Sequence, residues 1–320
     1  MQSFKLPATH LNVTRAVVFG MGGSAIGADM VGNLQAIEGQ PPLIVQRDYT
    51  DRGLVDEKTL VIGSSASGDT EETLTAFKLA LDKGGKGVAI TRGGKLKAFC
   101  QERKIPVFEI PKDGPPRAAV GYSVFPVLGI LHAVGLAPDR TAAAEETMHE
   151  MERLSADLRP ERPTASNLAK QLSVQLGERV CVIYGAQLMQ AVARRWKTQL
   201  AENAKAWAFW EALPELHHNS VEAMRFVEPV RPAPAFVVIL NSKSYSPRIA
   251  LRCSLTAELL QKANVPVASV VPRGESPLAQ IMTATLLGDY VSLYVAMLRG
   301  VDPTPTPALD WVKQQMSQGL

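Results

Sequence analysis

The apolar positions of the first 110 residues fall in short unbroken runs: RAVVFG (15–20), PLIVQRDY (42–49), TLVIGSS (59–65), GVAIT (87–91) and VFEIP (107–111). Short β-branched runs bounded by glycine, proline or serine predict strands of a buried sheet. Between them the period changes. In TEETLTAFKLALDKGG (70–85), Leu74, Phe77 and Leu81 recur at three- and four-residue spacing and glycine ends the run, which predicts a helix. Strands alternating with helices predict a parallel sheet with helices on both faces.

The segment 117–135 reads as a long buried helix closing this unit. The next, 137–167, is charged and alanine-rich with prolines at its end, and reads as a surface helix plus linker. The pattern then restarts. RVCVIYGA (179–186) reads as a strand and 186–205 as a helix. Strands at 235–242 and 265–271 flank a helix at 247–264, and a late helix follows at 286–300. The expectation is an α/β chain of two related units. It places an N-terminal domain at 1–140, a helix and linker at 141–165, a C-terminal domain at 166–300 and a tail helix at 301–320.

Composition narrows the class. Of 320 residues, 46 % are hydrophobic, enough for a sizeable core, and the net charge is only +3. That charge argues against a nucleic-acid-coating protein, which needs a clustered basic face. The four tryptophans, Trp196, Trp207, Trp210 and Trp311, lack a basic surround and read as packing or subunit contacts. Cys100, Cys181 and Cys253 are widely separated and read as reduced buried thiols of a cytoplasmic protein. No signal-peptide pattern opens the chain. Its longest apolar stretches are interrupted by Gly, Asp, Arg or Pro, so no membrane span is expected. No cluster has metal-ligand spacing.

Two loops carry candidate chemistry. GMGGSAIG (20–27) packs Gly22, Gly23 and Ser24 between the first strand and a helix expected to begin near Ala25. Glycine permits close approach to backbone, and a helix N-terminus presents unpaired N–H groups. The spacing is neither the dinucleotide G-x-G-x-x-G nor a P-loop. SSASGDTEETL (64–74) follows the third strand with Ser65, Ser67 and Thr70. Both loops have an ordinary reading as turn and helix cap. At the C-terminal ends of strands in one open sheet, however, they would face a common crevice and hold a phosphate.

GMGGSAIGAD and SASGDTEETL resemble the sugar-isomerase (SIS) domain. KTQLAENAKA, PELHHNSVEAM and GDYVSLYVAMLRGVDPTPTPALDWVK resemble the bifunctional phosphoglucose/phosphomannose isomerase family. The resemblance runs from residue 15 to about 315. It implies two SIS domains of flavodoxin-like or Rossmann-like form, each a parallel sheet flanked by helices, in a homodimer. It implies an isomerase that interconverts glucose 6-phosphate, and also mannose 6-phosphate, with fructose 6-phosphate. Hexose 6-phosphates would be the substrates, with no metal, organic cofactor, nucleic acid or membrane involved. Ser24, Ser65, Ser67 and Thr70 would hold the phosphate, with Gly22 and Gly23 giving close backbone approach. Glu202 would transfer the proton. His218, supplied across the dimer interface, would open the ring. Arg117 would lie near the reacting carbons, and Lys313, on the tail helix, would close over the site. Thr304 and Thr306 are small polar residues that would give room for both C2 epimers. His217 competes with His218 for the ring-opening role.

Three positions depart from the family pattern: Ala66 for tyrosine, Asp69 for asparagine and Arg92 for serine. A carboxylate at 69 would repel a bound dianion unless it points away or meets a cation. Two other readings remain at this point: a SIS sugar-phosphate sensor without catalysis, and an isomerase of another phosphosugar such as an amino sugar.

Overall fold

The computed structural model describes residues 5–111, 114–224 and 234–318. Two compact units divide the chain. The first comprises Met1–Glu145 and Gln187–Ala191, the second Glu146–Ala186 and Val192–Leu320.

The first unit is a five-stranded sheet of β1 (Arg15–Gly20), β2 (Leu43–Gln46), β3 (Thr59–Ser65), β4 (Lys86–Thr91) and β5 (Val107–Glu109), in the order β2-β1-β3-β4-β5. Every pairing is parallel. A parallel sheet covered on both faces explains why its strands are apolar throughout rather than alternating. Val17, Phe19, Val61 and Ala89 pack with Ala76, Phe77 and Ala80 of α2 (Glu71–Asp82) and Leu96 and Cys100 of α3 (Gly94–Glu102). α1 (Gly22–Ile37) and α4 (Gly121–Ala133) pack on one another. Their approach depends on Gly27, where a Cβ would lie 2.6 Å from the Ser123 backbone carbon.

The strand order reverses between β1 and β3. The connections leaving these two strands therefore diverge and open a crevice beyond their C-terminal ends. Both glycine- and serine-bearing loops emerge there. α1 begins at Gly22 rather than near Ala25, because Gly22 takes φ +48°, a left-handed turn that lets helix follow strand almost directly.

The second unit repeats the plan with β6 (Val180–Ala186), β7 (Ala208–Leu213), β8 (Ala235–Leu240) and β9 (Val267–Val270), ordered β7-β6-β8-β9 and parallel throughout. The segment expected as helix and linker is largely part of this unit. It contains α5 (Thr141–Leu158), with Thr147, Leu154 and Leu158 buried. On α5, Glu146 accepts the backbone N–H groups of Glu275 and Ser276. Further helices are α6 (Leu168–Leu176), α7 (Gln190–Ala204) and α8 (Pro247–Lys262). α9 (Pro277–Leu298) and α10 (Pro307–Gln318) complete the chain. The late helix begins at Pro277, nine residues before the expected start at 286. By length and apolarity α9 is able to span a membrane, but two-thirds of its most apolar window is buried inside the protein. A helix apolar on all sides is the mark of a core helix as well as of a membrane span.

Candidate active site

In the first unit the two loops are joined by hydrogen bonds. The Ala66 N–H donates to Ser24 Oγ at 3.0 Å, and Ser64 Oγ donates to the Ser24 carbonyl at 2.9 Å. Ser24 therefore sits on both loops, and its hydroxyl proton remains available to an acceptor. Ser65 Oγ lies 2.9 Å from Thr70 Oγ1 and accepts the Gly68 N–H at 3.0 Å. Ser67 Oγ is exposed and accepts the Asp69 N–H at 3.2 Å.

The helix-cap reading of these hydroxyls fails on geometry. Thr70 is the N-cap of α2, yet its side chain makes no capping bond and turns to Ser65 instead. α1 has Met21 at its N-cap and no side-chain cap, so no capping side chain occupies its first-turn N–H groups. Gly22, Gly23, Ser24, Ser65, Ser67 and Thr70 are thus brought to one end of one sheet. Arg117 joins them. It lies in a short 3₁₀ turn, Pro116–Ala118, whose backbone rests on Gly23: a Cβ there would meet the Pro116 carbonyl at 3.2 Å and Arg117 Cα at 3.6 Å. A small cleft is lined by Gly23, Ser24, Ser64, Ala66, Pro116 and Tyr122, with Ile90 and Ile110 among its apolar walls. Hydroxyl and backbone N–H donors with few acceptors suit an oxyanion.

Asp69 does not oppose this. Its Oδ1 accepts the Lys95 N–H at 3.0 Å, in the first turn of α3, where a carboxylate is favoured by the helix dipole. Arg92 Nη1 donates to the Gly114 carbonyl at 2.8 Å, just before the Arg117 turn.

The second unit carries the other three side chains. Glu202 lies in the last turn of α7 and is half-buried. The Lys205 ammonium is engaged by the carbonyls of Glu202 and Asp302, both at 2.9 Å. Lys313 is on α10, whose side chains from Pro307 to Met316 are all exposed. Thr304 is exposed as well, and its N–H donates to Asp302 Oδ1 at 2.8 Å.

The adjacent histidines separate cleanly. His217 Nδ1 is 3.0 Å from Arg252 Nη1, and its Nε2 is 2.8 Å from Thr256 Oγ1. Arginine only donates, so Nδ1 accepts and Nε2 carries the proton of a neutral ring. Burial, then the Arg252 guanidinium, then His218 hold its pKa below the usual histidine value. His218 is exposed. A histidine with a lowered folded pKa binds fewer protons in the folded than in the unfolded chain. Its contribution is complete above about pH 6.5 and is lost as pH falls through the folded value. Thermal unfolding from pH 7 to 5 should therefore show a declining midpoint. The decline should be shallower in His217→Gln, and an unchanged slope would mean that this ring is not held neutral.

The second unit's own crevice, between β6 and β8, is closed. The Tyr245 hydroxyl donates to the Leu240 carbonyl at 2.7 Å and accepts the Ala186 N–H at 3.1 Å. Gln280 accepts from Ser242 Oγ at 2.7 Å and from the Lys243 N–H at 3.1 Å. The hydroxyl-rich NSKSYS loop there is consumed internally.

Over 308 residues the chain is 38 % identical to a protein of Caldicellulosiruptor bescii named bifunctional phosphoglucose/phosphomannose isomerase, covering 96 % of this chain and 91 % of that one. The chain belongs to the bifunctional phosphoglucose/phosphomannose isomerase family. A relative of the same name from Thermoplasma acidophilum is 33 % identical, over 94 % of this chain and 89 % of its own. Residues 165–316 match the family described as bacterial phospho-glucose isomerase C-terminal SIS domain. Among solved structures, tagatose-6-phosphate ketose/aldose isomerase from Escherichia coli superposes with a TM-score of 0.70 at 16 % identity, covering 92 % of this chain and 85 % of that one. That likeness establishes the shared fold. Within the family the expected motif residues thus occupy an open crevice in the first unit and α7, the 215–218 turn and α10 in the second. Sequence reasoning missed Ser64 and the Ala66 N–H, which lock the loops, and Tyr122 at the cleft. The doubled serine at 64 and 65 was the available signal for the first.

Proposed function

We propose that the chain is a cytosolic aldose–ketose isomerase that interconverts glucose 6-phosphate and mannose 6-phosphate with fructose 6-phosphate. The observation that carries this reading is the open crevice of the first unit, its hydroxyls turned away from capping duty, in a chain that matches the isomerase family over nearly its whole length.

The phosphate rests on the backbone of Gly22 and Gly23 and on the hydroxyls of Ser24, Ser65, Ser67 and Thr70. This fixes one end of the sugar without a lysine. Glu202 takes the proton from C2 of the aldose and returns it to C1 through a cis-enediol, one carboxylate serving both steps. Arg117 stabilises charge on the enediolate oxygens. Hexose phosphates are mostly closed rings, so His218 of the partner subunit shuttles the proton that opens them. Lys313 steadies the ring oxygen. Both C2 epimers are accepted when the open chain can rotate about C2–C3 and present either face of the enediol. The working form is then a homodimer.

Coupled assays on glucose 6-phosphate, mannose 6-phosphate and glucosamine 6-phosphate, run side by side, test the substrate class. Turnover is expected on the first two and absent on the third. Turnover on glucosamine 6-phosphate alone would move the chain to amino sugars, a class represented among its relatives by a D-glucosamine-6-phosphate 4-epimerase of Sulfolobus acidocaldarius, 28 % identical over 64 % of this chain.

A further inference from the structure

The buried contact between α7 and α9 is polar at successive turns. Arg195, 1 % exposed, gives Nε and Nη2 to the two carboxylate oxygens of Asp289 at 3.1 and 2.7 Å. Gln199 Nε2 donates to Asp289 Oδ1 at 2.9 Å. Asn203 Nδ2 donates to Ser292 Oγ at 2.9 Å, and Ser292 Oγ donates to the Asp289 carbonyl at 2.7 Å. Beside them Trp196 Nε1 donates to the Ala284 carbonyl at 2.9 Å, seated over Gly288, where a Cβ would lie 2.2 Å from that nitrogen.

Residues 195, 199 and 203 form one face of α7. Glu202 follows Arg195 by seven residues, about 10.5 Å along the axis and close to the same face. Apolar packing alone is non-directional and would tolerate rotation of α7. A bidentate guanidinium–carboxylate pair has a fixed fork and does not.

We propose that Asp289 is a positioning residue for the proton-transferring carboxylate: through Arg195 and Gln199 it fixes the rotation and register of α7 and so holds Glu202 at the C1–C2 edge of the substrate. The inference rests on Glu202 being the base. Asp289 itself touches no substrate in this scheme. Its role is the aim of a side chain on the neighbouring helix.

The test uses Asp289→Asn in the full chain, with fructose 6-phosphate as substrate and rates normalised to folded protein. The kcat is expected to fall about tenfold or more, the usual consequence of a misplaced catalytic group, with KM unchanged because the phosphate is held elsewhere. In D2O the product should carry more solvent deuterium per turnover, since a poorly aimed base exchanges its proton before returning it. A merely structural role would lower the unfolding midpoint without changing that isotope ratio. Gln199→Leu, which keeps the ion pair, should shift kcat and deuterium content in the same direction and by less. It decides the matter if Asp289→Asn does not fold. Wild-type kcat and isotope ratio in the folded variants would overturn the proposal. Glu202→Gln, assayed alongside, separates the two failures: activity there removes the base assignment, whereas its inactivity beside a fully active Asp289→Asn removes only the positioning role.

Discussion

Glu202→Gln should abolish isomerisation while fructose 6-phosphate still binds. An aldose–ketose interconversion needs one group that accepts a carbon-bound proton and gives it back, and an amide does neither. Removing a general base costs about 10²–10⁴ in kcat. The proposed phosphate donors Ser24, Ser65, Ser67 and Thr70 all belong to the first unit, and the proposed base Glu202 to the second. Affinity measured by calorimetry should accordingly stay near wild type while turnover in the coupled assay disappears. The same variant divides an enzyme from a sugar-phosphate sensor, which has no use for the carboxylate. It also reads the subunit arrangement. With His218 supplied by the partner, a mixed dimer of Glu202→Gln and His218→Gln chains contains one intact site and one doubly altered site. Mixing the two inactive proteins under exchange conditions then restores activity. If Glu202→Gln turns over at the wild-type rate, the base lies elsewhere; if mixing restores nothing, each site is built from one chain.

The parts of this site that could be read from the sequence are those where composition and backbone geometry agree. β1 and β3 are short apolar runs ending in glycine and serine, and their loops hold residues with few other uses at such positions. Asp69 could not be judged in advance, because its harmlessness depends on the Lys95 N–H, twenty-six residues away. The two histidines were equivalent in sequence; only Arg252 and Thr256, on α8, distinguish them. β7 was missed for a physical reason. AWAFWEAL continues the apolar character of α7 without a clear break, and the strand lies at the edge of its sheet with Trp207 78 % and Phe209 50 % exposed, so no alternation of buried and polar residues marks it. α9 was recognised only in its second half because a helix apolar all round has no periodicity to date its start. The crevice of the second unit is closed. The means of closure, Tyr245 and Gln280, required the structure.

Gly68→Ala should damage the first unit's crevice more than other glycine substitutions of comparable backbone strain. Gly68 has φ +78°, and a Cβ there would lie 1.8 Å from the Gly93 carbonyl oxygen and 3.0 Å from Thr91 Oγ1. The Leu96 N–H donates to the Gly68 carbonyl at 2.9 Å, and the Arg92 N–H to the Ala66 carbonyl at 3.2 Å, so the 65–70 loop is laid directly on the 92–95 segment. Left-handed backbone alone costs an alanine about 1–2 kcal/mol. Relieving the clash requires main chain to move on both sides, raising the total to on the order of 3 kcal/mol. At this chain length that lowers the unfolding midpoint by about 4–5 °C. The displaced loop also loses the Gly68 N–H from Ser65 and shifts Ser67 and Thr70, so KM for all hexose 6-phosphates should rise about tenfold, roughly the worth of one charge-assisted hydrogen bond. Gly39→Ala supplies the comparison. Gly39 has φ +65° and open space around its Cβ position, at the far end of α1. It should lose only the conformational part of the stability and leave KM untouched. Equal midpoints and equal KM values in the two variants would mean that the two loops are not in contact and that the phosphate is held by other groups.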